Sequence, residues 1–186
     1  MKRSFDLLLA VIAGLILLIP VLMVAVLVKL TSKGPALYWS DRVGKDNVIF
    51  KMPKFRSMKV DTPAVATHLL GDPSSVLTPI GGFLRKSSFD ELPQLWCILK
   101  GEMSFVGPRP ALFNQDDLIE LRTQCEVSQL IPGLTGWAQV NGRDELPIPK
   151  KVALEVEYLN KRSFLFDIYI LWRTFLKVAK SDGVSH

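Results

Sequence analysis

The sequence predicts an α+β chain, predominantly helical, with a membrane-embedded N-terminus. Three observations carry that expectation: an uncharged run over residues 7–28, a β-rich pair of segments between residues 36 and 58, and helix-period apolar patterns through the C-terminal half. At 186 residues the chain is long enough for one domain with its own core. We read residues 1–31 as the membrane segment and 32–186 as one functional unit. The 23 basic and 18 acidic residues give a formal charge of +5, which suits anionic partners such as phosphates or anionic lipid. The basic residues are scattered and accompany no known reader motif, so no nucleic-acid partner is expected. Cys97 and Cys125 are too few and isolated for a disulfide framework or a zinc site, and read as reduced, partly buried thiols in a cytoplasmic compartment.

The run 7–28 as one helix would measure roughly 33 Å, enough to cross a hydrocarbon core of about 30 Å. Pro20 lies near its middle, where it removes a helical N–H and clashes with the carbonyl four residues back. Lys2 and Arg3 flank one side of the run, and Lys29, Lys33, Arg42 and Lys45 the other, so the charges mark no translocated end. Two readings stay open: a kinked span, or a re-entrant hairpin with arms 7–19 and 20–30 that dips into one leaflet and returns.

Residues 36–43 and 48–58 read as a β-hairpin across Gly44-Lys45-Asp46-Asn47, with Pro53 placing the second strand at an edge. Lys51, Lys54, Arg56 and Lys59 line that strand and its exit. They form either a solvated or lipid-facing basic edge, or a place from which Lys54 or Arg56 reaches a phosphate. The stretch 61–78, with two prolines, reads as a loop in which His68 is surface decoration.

The most informative stretch is 78–110, TPIGGFLRKSSFDELPQLWCILKGEMSFVGPRP. Ser88 and Glu91 match a capping box, but Pro93 belongs in a first helical turn and moves the expected N-cap to about Asp90 or later. Asp90 and Glu91 would then stand at the positive end of a helix, with Arg85 and Lys86 nearby. Such an Asp90 can remain an anion able to attack phosphorus, and Glu91 can serve a hard divalent cation. From spacing alone, simple N-capping is the favoured explanation of the pair. Leu92, Leu95, Trp96 and Leu99 form the expected apolar face, with Gly101 as the residue that ends the helix. Gly107-Pro108-Arg109-Pro110 holds a guanidinium at low entropic cost, suited to a phosphate, unless it is only a rigid turn.

The ordered series KFRSM, FLRKSSFDELPQLW, LKGEMSFVGPRP and PGLTGWAQVNGR, together with the opening Lys2-Arg3-Ser4-Phe5-Asp6, resembles the bacterial sugar transferase family of small monotopic phosphoglycosyl transferases over nearly the whole chain. The resemblance implies an enzyme at the cytoplasmic face of the bacterial inner membrane that moves a sugar 1-phosphate from a UDP-sugar to polyprenyl phosphate, usually undecaprenyl phosphate, and releases UMP. It implies Asp90 as a nucleophile that forms a covalent phospho-sugar, Glu91 as the ligand of Mg²⁺ (or Mn²⁺), and Arg85 and Arg109 at the phosphates. It also implies a re-entrant helix broken at Pro20, amphipathic interfacial helices around the active site, and the lipid bilayer, a homo-oligomer and downstream glycosyltransferases as partners. Without turnover, the same features would make a membrane-anchored scaffold that binds a phosphorylated ligand. This chain departs from the family pattern in Ile19 before the proline, Ile131 before Pro132-Gly133, Cys97 and Glu102, so no phosphate contact is assigned to residue 131.

Beyond Pro110, residues 114–130 read as an amphipathic helix and 131–143 as a glycine-rich segment whose turn presents Arg143 to the nucleotide or lipid phosphate. Trp137 packs, or touches the nucleotide or sugar. Residues 150–160 and 165–180 read as helices. The second carries Asp167, Thr174, Lys177 and Ser181 on one stripe and aromatics around the rest, suiting either a membrane interface or burial against the core.

Overall fold

The computed structural model describes residues 2–63, 65, 73–142 and 146–180. Arg143, His68 and Ser181 lie outside them. The described chain is mostly helical, with two small two-stranded sheets.

The N-terminal run forms α1 (Lys2–Ile16) and α2 (Leu18–Thr31), bent by 62°. No single helix among the described residues is long and apolar enough to cross a membrane; these two reach the length and composition only as a pair. The break falls at Leu17, three residues before Pro20, so the expected arms 7–19 and 20–30 shift toward the N-terminus. Proline explains the offset. Its missing N–H and its ring are tolerated in a first helical turn, so Pro20 sits third in α2 and the disruption lands one turn earlier. Ile16, Leu18 and Ile19 at this elbow are all exposed, as are Leu22, Met23, Val26, Leu27 and Leu30 further along α2.

The first turns of α1 are fastened to the body by polar contacts. Asp6 is 4% exposed; it accepts from the Ser104 hydroxyl at 2.8 Å and from the Phe105 N–H at 3.3 Å. Arg3 donates to the carbonyls of Ile98 and Leu99, and Lys2 pairs with Asp167 at 2.6 Å. Buried Asp6 is thereby given the hydrogen bonds that a carboxylate out of water requires.

β1 (Leu37–Val43) and β2 (Ile49–Phe55) pair antiparallel, with Trp39 opposite Pro53. The hairpin is the expected one, and in a two-stranded sheet each strand is an edge, which admits the proline. Next come α3 (Gly81–Ser87), a 3₁₀ turn over Phe89–Gln94, and α4 (Leu95–Lys100), which ends at Gly101 with φ +92°. The capping box that Ser88 and Glu91 match does not form, as Pro93 argued: Ser88 adopts a left-handed conformation, φ +58°, and its side chain caps nothing. Pro93 is the reason, since a segment without that N–H winds as 3₁₀ until Leu95. The buried face of this segment is Asp90, Gln94, Cys97 and Ile98, whereas Trp96 and Leu99 point outward. The expected apolar face is therefore wrong in those two residues.

β3 (Ser104–Val106) and β4 (Gly133–Thr135) form a short parallel pair absent from the sequence reading. Glycine makes it possible: a Cβ on Gly133 would lie 2.1 Å from the Gly107 nitrogen, and one on Gly136 2.0 Å from the Gly107 oxygen. The segment 114–130 is split into α5 (Asp116–Gln124) and a 3₁₀ turn at Val127–Gln129, with Glu126 left-handed between them. A four-residue helix α6 (Trp137–Val140), α7 (Ile148–Lys161) and α8 (Phe164–Lys180) complete the chain. The main core joins Ala10 of α1, Met52, Ile98, Val106, Leu118, Val152 and Ile170; a second cluster joins Val24 and Val28 of α2 to Phe55 and Leu84.

In α8 the polar stripe faces inward. Asp167 is buried against Tyr158, whose hydroxyl donates at 2.7 Å, and Thr174 bonds Thr135 at 2.7 Å. Leu165, Ile168, Trp172, Phe175 and Val178 are exposed.

Between α5 and α7, Arg122 makes a two-bonded pair with Glu155, both buried. Arg122→Met strands a carboxylate that is 2% exposed, and we expect a loss of about 3–5 kcal/mol, read by denaturant unfolding of the detergent-solubilised chain. Replacing both residues with apolar ones of similar size restores most of that loss.

Candidate functional site

Three segments far apart in sequence meet at Glu91. The 3₁₀ turn supplies the carboxylate, β2 supplies Lys54, whose ammonium is 2.9 Å from Glu91 Oε1, and the Gly107-Pro108-Arg109-Pro110 loop supplies Arg109, 2.6 Å from the same oxygen. The three side chains are only 16%, 11% and 26% exposed for Lys54, Glu91 and Arg109, enough withdrawal from solvent to make the charges count. Asp90, one residue before Glu91, is buried.

The geometry of each segment follows from its local sequence. Lys54 sits one residue after Pro53, where β2 passes over the 3₁₀ turn. Arg109 is set by Pro108 and Pro110 and backed by the glycine contacts with β4: the Gly107 N–H donates to Thr135 and the Gly133 N–H to the Pro108 carbonyl. Arg42 of β1 donates to the Pro110 carbonyl at 3.1 Å, tying the hairpin to the same loop.

Burial acts to raise the Glu91 carboxyl, but Arg109 and Lys54 outweigh it and hold the group well below the usual carboxylate range. Asp90 goes the other way. Its burial, helped by the charge of Glu91, raises it above an ordinary aspartate, while Lys54, Arg109 and Arg85 oppose the shift. Burial lowers Lys54, and Glu91 counters that. Two adjacent carboxylates are thus set apart, one firmly anionic and one closer to protonation.

Of the residues expected at a site, Asp90, Glu91, Lys54 and Arg109 come together, and half-buried Arg85 at the end of α3 is near enough to act on Asp90. Arg56 does not join them. Its guanidinium bonds the Pro35 carbonyl at 2.9 Å and lies 5.9 Å from the Tyr38 ring. The assignment of Arg143 falls outside the described residues. Trp137 is a packing residue here: its indole N–H donates to Glu157 at 2.9 Å, and it lies against Phe166 and under Arg173. Arg42 was missed, although its place on β1 opposite Phe50 follows from the hairpin register. Gln94 was missed too. It is 1% exposed, one turn after Asp90, and its Nε2 has no hydrogen-bond partner among the described residues.

As donors for a metal, Asp90 and Glu91 are hard oxygen ligands of the kind Mg²⁺ takes, and no cluster of three or more His, Cys, Asp or Glu suited to a metal occurs among the described residues. Glu91 Oε1 is engaged by two cations, whereas Oε2 meets Arg109 at 3.5 Å. The pair therefore fits a cation that takes one or two protein carboxylates and fills its shell with water and phosphate oxygens. Cys97 is no nucleophile: burial, with help from Glu102, pushes its thiol up to about 12.

A rigid guanidinium, a buried ammonium and two carboxylates of different acidity form an arrangement that handles phosphate esters. Residues 1–181 match the family model described as bacterial sugar transferase, and the chain belongs to that family. Among its relatives, the uncharacterized sugar transferase EpsL of Bacillus subtilis is 39% identical over 99% of this chain and 90% of its own length. The exopolysaccharide production protein ExoY of Sinorhizobium fredii is 38% identical, covering 98% of this chain and 87% of its own. The UDP-glucose:undecaprenyl-phosphate glucose-1-phosphate transferase of Escherichia coli is 40% identical over 95% of this chain, which spans only 40% of that relative.

The opposed shifts at the carboxylate pair can be read directly. With Asp90 raised by burial, its carboxyl ¹³C resonance should titrate at a higher pH than those of exposed aspartates. Lys54→Met removes an opposing cation, so the midpoint should move further up. A downward move, or none, contradicts the electrostatics described here.

Proposed function

We propose that the chain transfers a sugar 1-phosphate from a UDP-sugar to polyprenyl phosphate at the cytoplasmic face of the bacterial inner membrane, and that Asp90 carries the group between the two. The observation that carries the reading is the buried Asp90-Glu91 pair with Glu91 anchored by Lys54 and Arg109, in a member of the bacterial sugar transferase family. Relatives named as UDP-glucose or galactose lipid-carrier transferases support the substrate classes.

In the first half-reaction an Asp90 carboxylate oxygen attacks the phosphorus that bears the sugar. The bond from that phosphorus to the bridging oxygen breaks, its electron pair stays with the oxygen, and UMP leaves. In the second, an oxygen of the polyprenyl phosphate attacks the same phosphorus and displaces the Asp90 carboxylate. The products are sugar-diphosphate-polyprenol and free enzyme. Arg109, with Arg85, neutralises charge on the phosphate oxygens, and Lys54 together with Glu91 keeps the region anionic on one side and cationic on the other. A divalent cation held by Glu91, Mg²⁺ or Mn²⁺, would supply further charge neutralisation on the diphosphate. The upward shift of the Asp90 carboxyl suits the role, since a more basic carboxylate is the better nucleophile provided it stays ionised at working pH.

The exposed apolar surface supports a membrane seating through the outer faces of α1 and α2, and Leu165, Trp172 and Phe175 of α8. The elbow at Leu17 enters the bilayer and both helix ends return to one side.

Incubated with a UDP-sugar alone, the wild-type chain should acquire the mass of one sugar phosphate and release one equivalent of UMP. Asp90→Asn should lose both, with turnover down on the order of 10³-fold or more. Turnover without any trapped adduct would instead indicate direct attack by the lipid phosphate. For topology, Ser4→Cys and Lys33→Cys, made in a Cys125→Ser background, should label from the cytoplasmic side in both cases; labelling from opposite sides would establish a span.

A further inference from the structure

We propose that the turn after α2 is a docking surface for the phosphate of an anionic glycerophospholipid, built from Lys29, Lys33 and Arg56. This rests on the membrane seating argued above, and assigns lipid selectivity to one end of the membrane hairpin.

The basic residues that flank the hairpin look equivalent in sequence, but the structure separates them. At the first end the cations are consumed by the protein: Lys2 pairs with Asp167, and Arg3 is spent on the Ile98 and Leu99 carbonyls of α4. At the second end Lys45 pairs with Asp46 and Arg42 bonds the Pro110 carbonyl, while Lys29 and Lys33, joined by Arg56, meet no carboxylate among the described residues. Lys29 donates weakly to the Gly34 carbonyl at 3.4 Å, and Arg56 donates one bond to the adjacent Pro35 carbonyl at 2.9 Å. The same guanidinium lies within 4 Å of where a Gly34 Cβ would be, so Lys29 and Arg56 converge on one turn; exposed Lys33 is next to Gly34 in the chain. Among the described residues none of the three pairs with a carboxylate.

Depth decides the occupant. The cluster caps a helix whose last apolar residue, Leu30, is 77% exposed, with Leu27 and Val26 also exposed on the turn before. A helix that buries such a surface in acyl chains brings its terminal cations to the headgroup layer, where each Lys or Arg favours an anionic surface. An arginine with four remaining N–H donors and two ammonium groups around one turn match the oxygens of a phosphodiester. Lys54 and Arg109 differ in that each has the Glu91 carboxylate beside it.

The test titrates the detergent-purified, delipidated full chain with dioctanoyl phosphatidylglycerol, dioctanoyl phosphatidylcholine and a short-chain polyprenyl phosphate, reading bound lipid by native mass spectrometry. Wild type should prefer the phosphatidylglycerol. Lys29→Gln/Lys33→Gln should weaken that binding by about five-fold per cation, leaving phosphatidylcholine and the melting temperature unchanged. Arg56→Gln should add to the loss and Arg56→Lys should restore most of it. Phosphatidylglycerol affinity within two-fold of wild type in the double variant overturns the proposal. So does a loss confined to the polyprenyl phosphate, which would make the turn an acceptor site. Failure of both glycerophospholipids to bind wild type would overturn the membrane seating, and this proposal with it.

Discussion

The grip of Lys54 and Arg109 on Glu91 is the interaction on which the site depends, because no single element of the chain contains it. A strand, a 3₁₀ turn and a proline-locked loop each bring one charged group into a region with little water. A buried ion pair is a poor source of net stability, since desolvation costs about as much as the attraction returns. Its value lies in what removal of one partner would do: a stranded charge is far worse than the intact set, so the three segments hold one arrangement. The electrostatics of Asp90 follow from that arrangement. Its neighbour stays anionic, burial pushes it up, and cations on both sides limit the rise.

The same logic fastens the bent N-terminal helix pair to the carboxylates. α1 does not hang from the body on a linker. Asp6 is inserted under β3, Arg3 covers the C-terminal carbonyls of α4, and Lys2 reaches Asp167 of α8. Because α4 continues directly from the turn that carries Asp90 and Glu91, Arg3 connects the N-terminal helix pair to the carboxylates through two short elements. Cations at the end of an apolar run are ordinarily read as topology signals. Here the geometry makes two of them structural.

Much of the architecture was legible because it rests on local chemistry. The hairpin followed from β-branched and aromatic runs around Gly44, and the final two helices from their apolar period. The pairing of Asp90-Glu91 with basic residues was visible as composition, though not as contact. What escaped were features decided by distant partners. Nothing local to Ser104–Val106 announces a strand; its ladder exists because Gly107, Gly133 and Gly136 let two backbones touch. Trp96 and Leu99 were placed inside by hydrophobicity alone, but Pro93 winds the preceding turn as 3₁₀, and the rotation hands the buried face to Gln94, Cys97 and Ile98. Arg56 was grouped with Lys54 by its spacing along a strand that in fact ends at Phe55, after which the side chain is captured by Pro35.

The orientation of α8 joins the two halves of the argument. From sequence, the helix suits either a membrane interface or burial of its aromatics against the core. In the structure Asp167 and Thr174 point inward and each finds a polar partner, Tyr158 and Thr135, so the polar stripe is the one that docks. The helix then turns Leu165, Trp172, Phe175 and Val178 outward, a surface that water disfavours. Thr135, the partner of Thr174, lies on β4, whose carbonyl accepts from Gly107 at the start of the arginine loop. The exposed apolar face of α8 and the guanidinium at Glu91 are therefore separated by one helix, one strand and one glycine contact. That short path gives a physical reason why the site would sit at the membrane surface, where a phosphate on a lipid chain can reach it.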